Sequence, residues 1–130
     1  MTHLQASCLC GSIQIEACQK PFKIGYCHCG MCRKHTGAPF SSFSIFKAED
    51  IHFSAPLSLY ASSAQAKRGF CRHCGSSISW HGRAWGQQII AIQTGLFKQA
   101  KAMPPQEHWY VGSALPWVNL NDDLLKNDAL

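Results

Sequence analysis

The spacing of the cysteines constrains this chain more than any other feature. Seven of its eight cysteines form a C-x-C pair (Cys8, Cys10), a triple cluster (Cys27, Cys29, Cys32) and a knuckle pair (Cys71, Cys74). Side chains two positions apart in an extended segment share a face, so C-x-C can bind one metal ion at a strand end. C-x-x-C followed by glycine is the zinc-knuckle pattern, in which a tight turn presents both sulfurs. Three such clusters in 130 residues strongly predict bound metal.

The number of clustered cysteines predicts two different metal sites. Seven ligands cannot complete two four-cysteine sites, and the simplest partition joins the C-x-C pair with the knuckle pair in one closed tetrahedral site. That site would clip the N-terminal strand to a hairpin about sixty residues later, and closing so long a loop stabilises the fold. The triple cluster then keeps one ligand position open, as catalytic zinc sites do. Zinc is favoured over iron because redox-silent tetrahedral thiolate sites are typical of zinc.

The remaining candidate ligands are expected to stay outside these sites. His28 lies between two clustered cysteines, so an extended backbone turns it away from the metal toward a packing role. We expect His73 to be exposed in the knuckle turn and His35 to be solvated, although His35 could bind. Cys18 is expected to be a free, inert thiol.

Hydrophobic periodicity predicts one mainly β domain over residues 1–120. Short runs that are rich in β-branched and aromatic residues predict strands at 12–17, 40–46, 57–62, 76–81 and 87–95. A short helix is predicted over 31–36, because Gly37 would end it. The segment 108–111 is strand-like, and residues 121–130 are expected to fray.

Composition limits the compartment and the partners. The N-terminal segment lacks the basic and apolar regions of a signal peptide, and no apolar run is long enough to cross a bilayer. We therefore expect a reducing cytoplasm, where clustered cysteines bind metal more often than they form disulfides, with a disulfide framework as the alternative. The formal net charge is +5. Seven thiolates and two zinc ions would reduce it to about +2, so the charge is weak evidence for a nucleic-acid partner.

Several motifs resemble those of a known family. The stretches "CLCGSIQIEA", "CHCGMCRKHTGAPF", "FCRHCGSSISWHG" and "HWYVGSALPWVNL" are similar to successive motifs of the glutathione-dependent formaldehyde-activating enzyme family, which also includes centromere protein V. The resemblance implies an Mss4-like fold of packed antiparallel β-sheets. It also implies a structural zinc at Cys8, Cys10, Cys71 and Cys74 and a second zinc at Cys27, Cys29 and Cys32. The reaction implied is a carbon–sulfur lyase step that joins glutathione and formaldehyde into S-hydroxymethylglutathione, or the reverse.

The chemistry of three thiolates points in the same direction. Three thiolates leave zinc with a net charge of about −1, which reduces its Lewis acidity but suits a further sulfur ligand. A thiol substrate could then bind as a thiolate, ready to attack a small aldehyde or to be released from its adduct. Glutathione carries two carboxylates and one ammonium, so Arg33, Lys34 and Arg68 are the candidate substrate-binding residues, with a solvated turn as the alternative for the first two. The four tryptophans are interpreted as core and lid residues rather than as a substrate box.

Two other functions stay open on the sequence alone. The first is a zinc-stabilised binding module, either a glutathione carrier or a partner of nucleic acid or protein; only residues 66–73 combine basic and aromatic residues as nucleic-acid faces do. The second is a redox enzyme like methionine sulfoxide reductase, for which Cys18 would have to be the nucleophile. No paired carboxylates, Ser-His-Asp order or phosphate-binding glycine loop supports a hydrolase or a nucleotide-binding protein.

Overall fold

A computed structural model describes residues 3–130 and shows two β-sheets. The small antiparallel sheet has the order β1 (Leu4–Ser7), β2 (Gln14–Ala17) and β5 (Ile51–Phe53). The large sheet has the order β11 (Leu125–Lys126), β10 (Glu107–Trp109), β3 (Lys23–Cys27), β4 (Ser41–Lys47), β9 (Gln87–Gln93), β8 (Ser77–Ala84), β7 (Lys67–Phe70) and β6 (Ser58–Ala61). Neighbouring strands are antiparallel, except that β10 runs parallel to β3 and to β11. The predicted mainly β fold class is confirmed.

The one α-helix of the described residues, α1 (Gly30–Thr36), is short and has well-defined ends. The Cys29 side chain caps its start by accepting a hydrogen bond from the Cys32 backbone N–H, and Gly37 ends it in the left-handed region at φ 73°. Four 3-10 turns lie at Ala48–Asp50, Thr94–Leu96, Ala100–Ala102 and Val111–Ser113. In the described part of the chain, each helix is too short or too polar to span a bilayer.

The central strands β4 and β9 of the large sheet are covered on both faces, which explains the consecutive buried residues in each of them. On β9, Ile92 packs with the small sheet in one core, whereas Ala91 belongs to a second core on the opposite face. On β4, Phe46 lies in the core shared with the small sheet, and Phe43 lies in the second core. A strand covered on both sides has no polar face to present, so its sequence does not alternate. The second core contains Cys27 and positions the candidate site.

Several predicted elements agree with the structure, and the C-terminal tail differs. The strands predicted at 12–17, 40–46, 57–62, 76–81 and 87–95 correspond to β2, β4, β6, β8 and β9, and the helix predicted at 31–36 is α1. The segment 121–130, for which fraying was predicted, contains β11 instead. Leu125 and Lys126 pair with Glu107 and His108 of β10, so the tail completes the edge of the large sheet.

Candidate metal centres and adjoining cavity

The C-x-C pair and the knuckle pair meet in a four-cysteine cluster. The four sulfur atoms all lie within 4.8 Å of one another. Cys10 Sγ lies 3.7 Å from Cys8 Sγ and 3.8 Å from Cys71 Sγ. A tetrahedral zinc ion with Zn–S bonds of about 2.3 Å requires sulfurs about 3.8 Å apart. The donors and their spacing therefore fit a structural zinc.

Two glycine turns build this cluster. Gly11 follows Cys10 with a φ of 81°, and Gly75 follows Cys74 with a φ of 76°. The backbone N–H of Gly11 donates to the carbonyl of Cys8, and that of Gly75 donates to the carbonyl of Cys71, which closes each turn. The Ile13 backbone N–H also donates to Cys8 Sγ over 3.3 Å, which stabilises a thiolate there. Because one pair follows β1 and the other follows β7, the cluster ties the small sheet to the large one.

The triple cluster lies where β3 runs into α1. Cys27 ends β3, Cys29 caps the helix, and Cys32 sits on its first turn. The three sulfurs lie within 4.8 Å of one another, and Cys32 Sγ is 3.2 Å from Cys27 Sγ. Within residues 3–130, no fourth Cys, His, Asp or Glu completes this group. It thus fits a zinc ion with three protein ligands.

The three sulfurs share negative charge unequally. Hydrogen bonds from Cys27 and then Cys32 lower the pKa of Cys29 to about 2, and the charge of Arg68 acts in the same direction. The pKa of Cys27 is raised, first because its thiol donates to Cys29 and further by burial. Burial and the neighbouring thiolates also raise the pKa of Tyr110. Cys29 is therefore the first of the three thiols to become a thiolate.

Arg68 is the cation of this site. Its side chain is only 5% exposed, and its two terminal nitrogens lie 3.6 and 3.7 Å from Cys32 Sγ. A buried guanidinium is costly unless an anion accompanies it. In the described part of the chain, Arg68 forms no salt bridge with a carboxylate. The anion beside it is therefore the cysteine cluster.

The triple cluster opens into a cavity of about 300 Å³. The rest of its wall is mainly aromatic and aliphatic: Met31, Phe43, Ile45, Ala66, Trp80, Trp85, Ile89, Ala91, Trp109 and Tyr110. Three of the four tryptophans thus line the cavity. The same three also fit the predicted core role, because Trp109 belongs to the second core and Trp80 and Trp85 pack against it. Trp117 is instead 70% exposed and lies elsewhere.

Two wall residues adopt an unusual backbone conformation. Trp85 and Tyr110 have φ values of 50° and 57°, and they are the non-glycine residues with positive φ in the described chain. Such conformations cost about 1–3 kcal/mol and persist only where the surroundings enforce them. The turn between β8 and β9 presents Trp85, which makes an edge contact with Phe22 and lies under Lys23 Nζ, 5.2 Å from the ring centre. The fold therefore holds aromatic rings at the cavity against local backbone preference.

The structure separates Arg33 and Lys34 from this cavity. Both line a different cleft, together with Trp117. Arg33 Nη1 donates to the backbone carbonyls of His28 and Ser113, over 2.7 and 2.6 Å. Its guanidinium therefore stabilises the loop that carries the triple cluster from the side away from the cavity. Of the three predicted substrate-binding cations, only Arg68 lies beside the triple cluster.

A buried histidine pair supports the metal loop and was not predicted. His28 is fully buried, and its Nε2 lies 2.8 Å from His108 Nδ1. His108 Nε2 lies 2.9 Å from Asp122 Oδ2 in the C-terminal tail. Burial, followed by the nearby charges of His108 and Arg33, lowers the pKa of His28. The packing role predicted for His28 is consistent with this position, but the sequence did not indicate its partner, because His108 lies 80 residues away.

The other sequence candidates lie outside both clusters. His35 hydrogen-bonds to Ser77, and its half-buried position differs from the solvated one expected. His73 is exposed, as expected for a knuckle turn. Cys18 Sγ lies 3.7 Å from Asp50 Oδ1, away from any other thiol in the described chain.

Comparison with known proteins identifies the family of this chain. The sequence model of the glutathione-dependent formaldehyde-activating enzyme family matches residues 3–113. The chain belongs to this family. An uncharacterized lyase of Schizosaccharomyces pombe is 32% identical over 98 residues, which are 75% of this chain and 71% of that protein. A crystal structure of a Rhodobacter sphaeroides protein matches the fold with a TM-score of 0.58 at 20% identity, over 95% of this chain and 98% of that one. This likeness agrees with the mainly β architecture of two packed sheets.

Proposed function

We propose that this protein is a zinc-dependent carbon–sulfur lyase that acts on the adduct of a thiol and a small aldehyde. One observation carries the proposal: a three-cysteine cluster, with no fourth ligand among the described residues, faces a cavity large enough for a small molecule. The family description names glutathione and formaldehyde, and a relative is named as a lyase. Glutathione and formaldehyde are therefore the first substrates to test.

The two clusters have different proposed roles. The four-cysteine cluster would hold a structural zinc, and Cys27, Cys29 and Cys32 would hold the catalytic one. When bound there, zinc would accept the sulfur of the substrate as a thiolate and lower its pKa. This chemistry fits a reducing compartment, and we propose a cytoplasmic location because all eight cysteines are free.

The residues around the triple cluster support the reaction in distinct ways. Arg68 offsets the negative charge of Cys32 and keeps the cluster stable in an apolar setting. Tyr110 lines the same cavity, and its raised pKa keeps the hydroxyl protonated, so it can donate a hydrogen bond to the oxygen of the adduct. Trp85 and Trp109 limit the access of water to the reacting carbon.

Native mass spectrometry of the reduced protein tests this function. We expect two zinc ions per chain and one glutathione adduct, which Cys32→Ser removes while the chain stays folded and keeps one zinc. Cys18→Ser is the matched control, because it removes a thiol outside both clusters and should retain the adduct. Formaldehyde exchange would then be followed by NMR in the same variants.

Two results would contradict the proposal. If Cys32→Ser unfolds the chain as severely as Cys71→Ser does, both clusters are structural. If two zinc ions bind but no thiol adds to the wild-type chain, the protein is a zinc-stabilised binding module instead.

A further inference from the structure

The wall of the cavity beside the triple cluster is almost entirely apolar. Apart from the cysteines, its charged side chain is Arg68, and its hydroxyl groups belong to Ser62, Ser63 and Tyr110. In the described chain no Asp or Glu side chain lines it. At about 300 Å³, the cavity is at the lower end of the range for small-molecule sites, about 300–1,000 Å³. A ligand inside would mostly contact aromatic rings and aliphatic side chains.

With a zinc ion in the triple cluster, the side-chain charges that line this cavity would balance without a ligand. Three thiolates and one zinc ion carry a net charge of about −1. Arg68, which lies 3.6 Å from Cys32 Sγ, neutralises that charge. A substrate sulfur would therefore enter a neutral site. Any additional carboxylate or ammonium would enter without a charged partner, and burying an unpaired charge is strongly unfavourable.

Glutathione fits this balance poorly beyond its sulfur. It carries two carboxylates and one ammonium, which need cations and an anion near the metal. Lys34 and Arg33 cannot supply the cations, because they line a separate cleft. The charged ends of glutathione would have to stay in water at the cavity mouth, where they add little affinity.

The aromatic wall is held in place by contacts that do not depend on a ligand. Trp109 is 1% exposed, and its indole N–H donates to Glu107, which also pairs with Lys23 over 3.3 Å. The Trp85 ring packs against the Phe22 ring and the Lys23 ammonium, although the φ of Trp85 is unfavourable. A pre-formed aromatic wall of this kind lowers the cost of binding an apolar group.

We infer that the natural substrate is an adduct of a thiol whose body is uncharged and apolar, such as an aryl or alkyl group, with the aromatic wall as its specificity element. This inference rests on the proposed function. In the corresponding lyase step, the carbon–sulfur bond of R–S–CH(OH)–R′ breaks. The sulfur keeps the bonding electrons as a thiolate, the hydroxyl releases its proton to solvent, and the aldehyde R′–CHO forms. Neither an oxidant nor a reductant is needed.

Titration calorimetry of the zinc-loaded full chain tests the inference with four probes: 2-phenylethanethiol, ethanethiol, glutathione and 2-phenylethanol. We expect 2-phenylethanethiol to bind about 10- to 100-fold more tightly than ethanethiol and glutathione, because burying a phenyl group is worth that much. Comparable or tighter binding of glutathione would overturn the inference.

The alcohol separates this inference from the proposed function. It has the same apolar body without the sulfur. If the thiol and the alcohol bind equally well, sulfur ligation is absent and the proposed function fails, whatever the order of the thiols. If every thiol binds more tightly than the alcohol but glutathione leads, the function stands and the inference is wrong.

Variants of the wall provide the structural control. Trp85→Ala should weaken 2-phenylethanethiol about tenfold and change glutathione less than about threefold. Met31→Ala removes a second wall side chain from an exposed position on α1, where folding is not at risk, and should weaken the same probe by a smaller factor. Trp117→Ala, outside the cavity, should change neither affinity. Equal losses for both thiols in Trp85→Ala would refute a specificity role.

Discussion

Replacing Gly25 by alanine tests the packing that supports the candidate site. Gly25 lies on β3, opposite Glu107 of β10. A Cβ at this position would meet Trp109 Cζ2, Cε2 and Cη2 at 2.7, 2.8 and 2.8 Å. Favourable carbon contacts occur at about 3.5–4.0 Å, so the ring or the strand must move. Trp109 cannot move at low cost, because it is almost fully buried and its indole N–H is bonded to Glu107.

The expected loss of stability follows from this overlap. Overpacking of a core costs about 1–3 kcal/mol. Alanine also reduces the conformational entropy of the unfolded chain, which raises the free energy of unfolding by about 0.4–1 kcal/mol. We therefore expect Gly25→Ala to lower the free energy of unfolding by about 1–2 kcal/mol. With a urea slope of about 1–3 kcal/mol per molar, the unfolding midpoint of the zinc-loaded protein should fall by about 1 M.

Gly95→Ala is the matched control for this measurement. No heavy atom lies within 4 Å of a Cβ at Gly95, and its φ is not in the left-handed region. Its midpoint should stay the same or rise slightly, because only the unfolded chain is affected. If both variants unfold at the wild-type urea concentration, Trp109 is not held against β3, and the rigid wall assigned to the cavity is wrong.

Two further substitutions test the electrostatics around the triple cluster. Arg68→Gln should weaken zinc binding at the triple cluster about tenfold in a chelator competition, because Cys32 loses its cationic neighbour, and should leave zinc binding at the four-cysteine cluster unchanged. The control Lys101→Gln, at an exposed position, should change neither affinity. Equal loss of both zinc ions in Arg68→Gln would contradict a local role of Arg68. Asp122→Asn should lower the melting temperature near neutral pH. Hydrogen bonds from His108 and then Lys126 depress the pKa of Asp122 below its ordinary 3.8. The stability that the Asp122 carboxylate contributes is therefore complete above pH 3.8 and is lost as the pH falls from 3.8 toward the folded-state pKa. The difference from wild type should therefore narrow below pH 3.8, and a constant difference would show that ionisation of Asp122 is not involved.

Local sequence patterns were sufficient to predict the grouping of the clustered cysteines and several elements of the fold. The glycine after the knuckle pair was expected to let the backbone turn, and Gly75 has the positive φ that this requires. The end of α1 at Gly37 follows from the same property. The partition of the seven cysteines depended on counting and on the need for four donors in a closed site, and the structure brings together the same two groups. These features depend on residues close in sequence or on ligand stoichiometry.

Strands without a clear pattern were beyond sequence reasoning. β3 and β7 each contain a glycine, and glycine ordinarily weakens a strand prediction. In the folded chain, Gly25 accommodates the Trp109 ring, and Gly69 lies beside the Ser79 and Leu57 side chains. The need for a missing side chain arises from a neighbour that is distant in sequence, so no local pattern reveals it.

The three cations predicted to bind the substrate lie in two different places in the structure. Arg33 and Lys34 follow Cys32 directly, but successive helical residues point about 100° apart, so their side chains leave the cavity side of α1. Arg68 is 36 residues from Cys32 in sequence, yet its terminal nitrogens lie 3.6 and 3.7 Å from that sulfur. Pairing of Arg68 with Trp80 on β8 places both side chains at the cavity. The charge and the aromatic surface of the cavity therefore come from the register of the large sheet, whereas the clustered cysteines come from short loops. Within this family, we expect the thiolate sites to be shared while cavity residues such as Trp80 and Trp85 determine which thiol is bound.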